Sequence, residues 1–73
     1  MLSNQQTAKQ VSDLMLEIGA KLDASVALVQ ATSSDSEFQN YRGAVGKLMG
    51  TMFLDIMDPL YTAQPQLKPE QLK

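Results

Sequence analysis

The sequence of 73 residues contains no cysteine, no histidine and no tryptophan. Without cysteine the chain has neither disulfide bonds nor thiolate sites, and without histidine it lacks the commonest metal ligand. A chain this short buries only about 60% of its unfolded surface, so it usually needs disulfides, a metal or self-association for stability. We therefore expect one small domain that self-associates.

Charge of either sign is also scarce, with six basic and eight acidic side chains and a formal net charge of −2. The cations are spread from Lys9 to Lys73, without the basic stripe typical of nucleic-acid binding. The uncharged run at residues 48–54 is far shorter than the ~20 residues that a transmembrane helix needs. The N-terminal residues lack the basic start and apolar core of a secretory signal. We expect a cytoplasmic protein that binds neither nucleic acid nor membranes.

Apolar residues recur at spacings of three and four through residues 3–31, which predicts an amphipathic first helix. Ser3 or Thr7 is expected to cap its start, each followed three residues later by glutamine. The predicted apolar stripe consists of Val11, Leu14, Met15, Ile18, Leu22, Val26 and Val29.

A polar, serine-rich segment at residues 32–36 predicts the loop to a second helix, which spans about residues 35–57. Ser34 and Glu37 have the spacing of a capping box at its start. The resulting fold class is all-α, a two-helix antiparallel hairpin whose predicted register places Leu22 opposite Leu48, Ile18 opposite Met52, Val29 opposite Tyr41, and Leu14 opposite Ile56.

Proline predicts the end of the second helix. Asp58 precedes Pro59, and the residue before a proline disfavours the α region, although Pro59 is also able to open one short turn at residues 59–63. Residues 1–63 then form the hairpin. Glutamine and proline dominate residues 64–73, which we expect to form an extended C-terminal tail, with Pro69–Glu70 as the start of a short terminal turn.

The apolar side of the second helix is wider than one neighbouring helix requires. Two hairpins packed together would cover it, so we predict a homodimeric four-helix bundle. Gly43, Gly46 and Gly50 form a stripe beside this side, and each costs about 0.8–1 kcal/mol against alanine inside a helix. Close approach of another helix across the dimer axis would explain them. The alternative is a local weakening or kink.

The predicted interface surrounds these glycines. Arg42 is the only arginine, and it either forms a directional pair across the interface or a rim salt bridge to Glu37 or Asp23. Methionines in this region suit adaptable recognition, but at helical spacing they also suit a plain core. The predicted interface residues are Tyr41, Arg42, Gly43, Gly46, Met49, Gly50, Met52, Phe53, Ile56, Leu60 and Tyr61.

No pattern of catalytic or metal-binding residues emerges. Asp55 and Asp58 are a pair of carboxylates, but a Ca²⁺ site takes six or more oxygen ligands, and no EF-hand loop is present. Neither Gly-x-Ser-x-Gly nor a phosphate-binding glycine loop occurs. We expect no enzyme activity, no metal and no cofactor.

Three segments carry a resemblance: Tyr41-Arg42-Gly43-Ala44-Val45-Gly46, Asp58-Pro59-Leu60-Tyr61 and Pro65-Gln66-Leu67-Lys68-Pro69. Together they resemble the C-terminal half of short uncharacterised bacterial all-helical proteins. The resemblance implies a bacterial or phage origin and carries no catalytic residue.

Three functions remain open from the sequence. The first is a small non-enzymatic interaction or regulatory module that acts as a homo-oligomeric bundle. The second is a subunit of a hetero-complex in which another protein covers the apolar face of the second helix. The third is a ligand-binding bundle with a small apolar pocket near Met52, Phe53 and Tyr61.

Overall fold

The computed structural model describes residues 1–70 and is helical throughout its regular structure, with no strand in that range. Two long helical stretches pack against each other, which confirms the predicted all-α hairpin. The elements are α1 (Gln5–Thr32), α2 (Asp35–Met52), a π-helical turn (Phe53–Met57), α3 (Asp58–Ala63) and a 3-10 turn (Pro65–Leu67).

Side-chain caps define where both helices begin. The Thr7 N–H donates to the Asn4 side chain at 3.0 Å, so Asn4 caps α1 and the predicted cap at Ser3 or Thr7 is wrong. Asparagine is among the strongest N-cap residues, which explains its use here. The capping box of α2 is confirmed, because the Glu37 N–H donates to Ser34 Oγ at 3.2 Å and the Ser34 N–H donates to the Glu37 carboxylate at 3.2 Å.

The capping box makes the start of α2 sensitive to pH. Hydrogen bonds from the Ser34 side chain and then from the Ser34 backbone hold the pKa of Glu37 below its ordinary value. A lowered pKa in the folded chain means that this stabilisation is present above the unfolded value of about 4.3 and is lost as the pH falls through the folded pKa. We expect Glu37→Ala to lower the melting temperature at pH 7 and to match the wild type at a pH well below 4. A constant difference across this range would contradict it.

Two serine–tyrosine hydrogen bonds join the helices near opposite ends of the hairpin. Ser12 Oγ and Tyr61 Oη lie 2.6 Å apart and are buried. The Ser25 hydroxyl donates to the carbonyl of Leu22 at 2.7 Å, so Tyr41 Oη donates to Ser25 Oγ at 2.8 Å. These bonds fix the antiparallel register.

The second of these bonds gives Tyr41 a polar partner. The sequence placed Tyr41 opposite Val29, and the tyrosine hydroxyl reaches Ser25, one helical turn from Val29. A tyrosine hydroxyl inside a helix interface needs a polar partner, and Ser25 supplies one where Val29 cannot.

Removing one hydroxyl of the buried pair should leave the other unsatisfied. We expect Tyr61→Phe and Ser12→Ala each to cost about 1–3 kcal/mol, and the double variant to cost less than their sum. Tyr41→Phe is the matched control at the half-buried pair and should cost less. Chemical denaturation measures the free energy of unfolding of each variant. If the losses from Tyr61→Phe and Ser12→Ala simply add in the double variant, the two hydroxyls do not stabilise each other.

The second helical stretch does not end at proline as predicted. Asp58 keeps helical backbone angles, with φ −63° and ψ −50°. In a regular α-helix the Pro59 ring would clash with the carbonyl of Asp55, four residues earlier. The π turn widens the helix here, and the Asp58 N–H bonds to the carbonyl of Phe53 instead. The predicted interruption is therefore wrong, while the predicted extra turn is present as α3.

The π turn also decides which side chains face α1. In an unbroken α-helix Tyr61 would point about 180° away from Met52, because nine residues are two and a half turns. The π turn holds one extra residue and rotates everything after it by about 100°. This rotation brings Leu60 and Tyr61 into the core, where their exposure is 0% and 6%.

Shortening the π turn tests this account. Leu54 is an exposed residue of the turn, at 66%. Deleting Leu54 in a Pro59→Ala background should give a regular α-helix in which Leu60 still points toward α1. The melting temperature should therefore stay close to that of Pro59→Ala alone. Deletion of the exposed Lys47 in the same background rotates the whole C-terminal half and should abolish cooperative unfolding.

If both deletions lower the melting temperature equally, the extra residue in the π turn does not set the facing of α3. Circular dichroism at 222 nm during a thermal melt is the readout.

The C-terminal segment folds back rather than extending as predicted. The Gln64 side chain donates to the carbonyls of Leu2 and Ser3 at 3.2 Å each. Leu67 packs against the core cluster. These contacts hold Leu2, whose φ of +63° is unusual for a side-chain-bearing residue. The turn predicted at Pro69–Glu70 would continue into residues 71–73, which lie outside the described residues.

The hairpin forms a single layer of helices with a small core. Its extents are 44 × 20 × 16 Å, and its radius of gyration of 14.4 Å exceeds the ~11 Å expected for a compact domain of this length. Domains normally bury their apolar faces between two layers. The fully buried residues within 1–70 are Ala8, Ser12, Val45, Met57, Leu60 and Tyr61.

Candidate interaction surface

Large apolar side chains remain exposed on both sides of the helix pair. On α1, Leu14 is 49% exposed and Leu16 is 39% exposed, and these two residues point to opposite sides of the layer. On the second stretch, Leu48 and Phe53 are 55% and 41% exposed. The single layer therefore has two apolar faces.

The larger apolar face is an open groove between α1 and α2, which we call the wide groove. Its volume is about 650 Å³. Among residues 1–70, Asp23 is the one charged residue that lines it, and Pro69 of the C-terminal segment also borders it. The remaining lining residues are Met15, Leu16, Gly19, Ala20, Met49, Gly50, Met52, Phe53 and Met57.

A smaller groove of about 260 Å³ lies between the same two helices. Ile18 and Leu22 of α1 line it together with Leu48 and Ile56 of the second stretch, and Met15 and Met52 are shared with the wide groove. We call it the narrow groove. It carries no charged lining residue.

The α1 side of the wide groove was missed from the sequence. The predicted stripe was centred near Val11 and Val29, whereas the buried Ala8 and Ser12 lie about 60° and 100° further round the helix. This rotation leaves Leu14 half exposed and carries Leu16 and Ala20 to the rim of the wide groove. The signals were available as small residues at Ala8 and Gly19 and as a serine at position 12, which faces a tyrosine hydroxyl.

The predicted interface residues on α2 and the π turn separate into groups. Met49, Gly50 and Phe53 line the wide groove, Met52 lines both grooves, and Ile56 lines the narrow one. They are thus divided between the two faces of the layer, as far as the described residues define it.

Three other predicted interface residues lie inside the hairpin. Leu60 has no exposed surface and Tyr61 is bonded to Ser12 in the core, so neither is available to a partner. Tyr41 is half buried and bonded to Ser25. The cause for Leu60 and Tyr61 is the rotation at the π turn, which a regular helical wheel does not include.

The glycine stripe of α2 faces open space within the chain. A Cβ atom added at Gly43, Gly46 or Gly50 would meet nothing within 4 Å. No contact in the chain therefore requires a glycine at these positions. Gly19 differs, because its Cβ would lie 3.8 Å from the terminal methyl of Met52 and 3.9 Å from that of Met49.

Asp23 at the wide groove forms no ion pair within residues 1–70. Across residues 1–70, the ion pairs are Lys9 with Asp13 and Lys21 with Glu17, both at 3.0 Å and exposed. The intrachain salt bridges considered for Arg42 are thus not formed. Glu37 is engaged by the capping box instead.

Within the described part of the chain, no group of three or more acidic side chains is placed to hold a metal ion. None of its helices combines the length and apolarity that a membrane crossing requires.

Comparison with protein-family models, with curated proteins and with solved structures finds no match for this chain. The resemblance of its C-terminal half to short bacterial proteins stays a sequence-based prediction.

Proposed function

We propose that this chain is a small non-enzymatic interaction or regulatory module of the cytoplasm that acts as a homodimer. In this proposal two hairpins pack through their wide grooves into a four-helix bundle. Partners for regulation would then bind the outer faces of the bundle.

The observation that carries the proposal is the single helical layer with an open apolar groove. Only a few side chains are fully buried, and most of these cluster where the start of α1 meets α3. Each buried aliphatic or aromatic side chain contributes about 1.5–3 kcal/mol, so such a core leaves the hairpin marginal. A second layer over the wide groove would bury Leu16 and Phe53 and supply the missing stabilisation.

Two leucines about half a turn apart on α1 allow a matched test. Leu16 lines the wide groove and Leu14 is exposed on the other side of the layer. We expect Leu16→Gln to raise the dimer dissociation constant by roughly tenfold or more, because both subunits lose the burial of the 39% of Leu16 that is exposed in the hairpin. Leu14→Gln is the control and should leave it within a few-fold of the wild type. Sedimentation equilibrium gives the constants.

The opposite ranking, with Leu14→Gln disruptive and Leu16→Gln silent, would assign the dimer contact to the narrow-groove side. If the wild type stays monomeric at every concentration, the homodimer proposal fails.

The narrow groove supports the second candidate, a hetero-complex. A dimer through the wide groove leaves Leu48 and Ile18 uncovered on the other side, where a different protein could bind. Purified alone, such a subunit would bind a hydrophobic dye even as a dimer, and Leu48→Gln would reduce the dye signal without changing the mass.

The volume of the wide groove supports the third candidate, a ligand-binding bundle, because small-molecule sites span about 300–1,000 Å³. Met52 and Phe53 line this groove, but Tyr61 does not. A rise in melting temperature on addition of an apolar ligand would favour this candidate over a groove that binds only another protein chain.

A further inference from the structure

The wide-groove side of the hairpin carries two charges of opposite sign that lack a partner among residues 1–70. Asp23 lines the groove on α1. Arg42 precedes Met49 by seven residues in the same regular helix, which places it within about 20° of Met49 on the groove side. Neither residue forms an ion pair in the described chain, and Arg42 is exposed.

The spacing of residues along both edges of the groove fits helices as the occupant. On α1 and on α2 the positions on this side recur in steps of four, three and four, the spacing that packs helices at about 20° in bundles and coiled coils. The positions are Leu16, Ala20, Asp23 and Ala27 on α1, and Arg42, Gly46, Met49 and Phe53 on the second stretch.

The charges indicate that the helices that occupy the groove belong to a second copy of this chain. A twofold axis that lies between the two layers and runs parallel to the helices lays α1 of one subunit over α2 of the other, and each contact then occurs twice. A surface that presents one acidic and one basic residue on different helices is complementary to itself under this operation. A partner of different sequence would not need both charges on the same face.

We propose that the wide groove binds a second copy of this chain through a twofold contact in which Asp23 pairs with Arg42 of the partner subunit, once on each side of the axis. The inference rests on the proposed homodimer and specifies its geometry. Asp23 and Arg42 both lie in the half of the hairpin nearer the loop at residues 33–34, so both pairs form in that half of the dimer.

Exchange of charges between chains tests this pairing. In Asp23→Arg both positions become basic, and in Arg42→Asp both become acidic, so each variant alone meets like charges across the axis. We expect each variant to dimerise roughly tenfold more weakly than the wild type or worse at low salt. An equimolar mixture of the two variants recreates two opposite-charge pairs, and it should form a heterodimer within about threefold of the wild-type affinity.

Two further variants act as controls. Lys47→Asp makes the same change in charge as Arg42→Asp, but Lys47 lies on the far side of α2 from the groove, so its dimer should keep nearly the wild-type affinity. The double variant that swaps Asp23→Arg and Arg42→Asp should dimerise like the wild type. All differences should shrink in ~1 M salt, where the Debye length is about 3 Å.

The outcomes separate the pairing from the homodimer itself. A wild-type dimer whose affinity does not respond to the single charge reversals, or a mixture that shows no rescue, overturns the pairing and leaves the homodimer. A wild-type chain that is monomeric throughout overturns both. Because the chain has no cysteine, a second readout is available. Asp23→Cys mixed with Arg42→Cys should give a mixed dimer with a short bismaleimide, and equal yield from either variant alone would contradict the pairing.

Discussion

One extra residue in the turn before Pro59 decides which side chains of α3 face α1. The ring of Pro59 does not fit a regular helix, and the π turn at Phe53–Met57 accommodates it without ending the helix. The same extra residue rotates Tyr61 toward α1, where it meets Ser12 in a buried hydrogen bond. The same π turn therefore accommodates the ring of Pro59 and brings Tyr61 into the core.

The core formed in this way determines what stays open. Contacts concentrate where the start of α1 meets α3 and the C-terminal segment, and Gln64 binds the N-terminal carbonyls there. Toward the loop, the helices are joined by Val45 and by the bond between Tyr41 and Ser25. The wide groove lies along the middle of the layer, with Asp23 toward the loop. A small, off-centre core thus leaves an apolar surface that a second layer would cover.

The sequence predicted the regular parts of this architecture well. The spacing of apolar residues predicted both helices, and the Ser34–Glu37 box predicted the start of α2, because each signal is local. Leu60 and Tyr61 could not be placed, since a helical wheel assumes a constant turn and the π turn breaks it. The side of α1 that packs on α2 was predicted with an angular error for a different reason. Hydrophobicity alone gave no weight to Ser12 or Gly19, although the hydroxyl of Ser12 and the small size of Gly19 favour contact with α2.

Part of the predicted interface lies on the wide groove for the same reasons. Met49, Gly50 and Phe53 belong to regular helix or to its first distorted residue, so their place in the groove followed from the wheel. Asp23 and Leu16 were missed because they lie across the groove on the other helix. The most direct test of the account is sedimentation equilibrium of the wild-type chain from low micromolar concentration to about 1 mM, a range that covers weak dimers. The account predicts a mass that rises from 8.0 kDa to twice that value and then stops. A mass of 8.0 kDa at every concentration would contradict it.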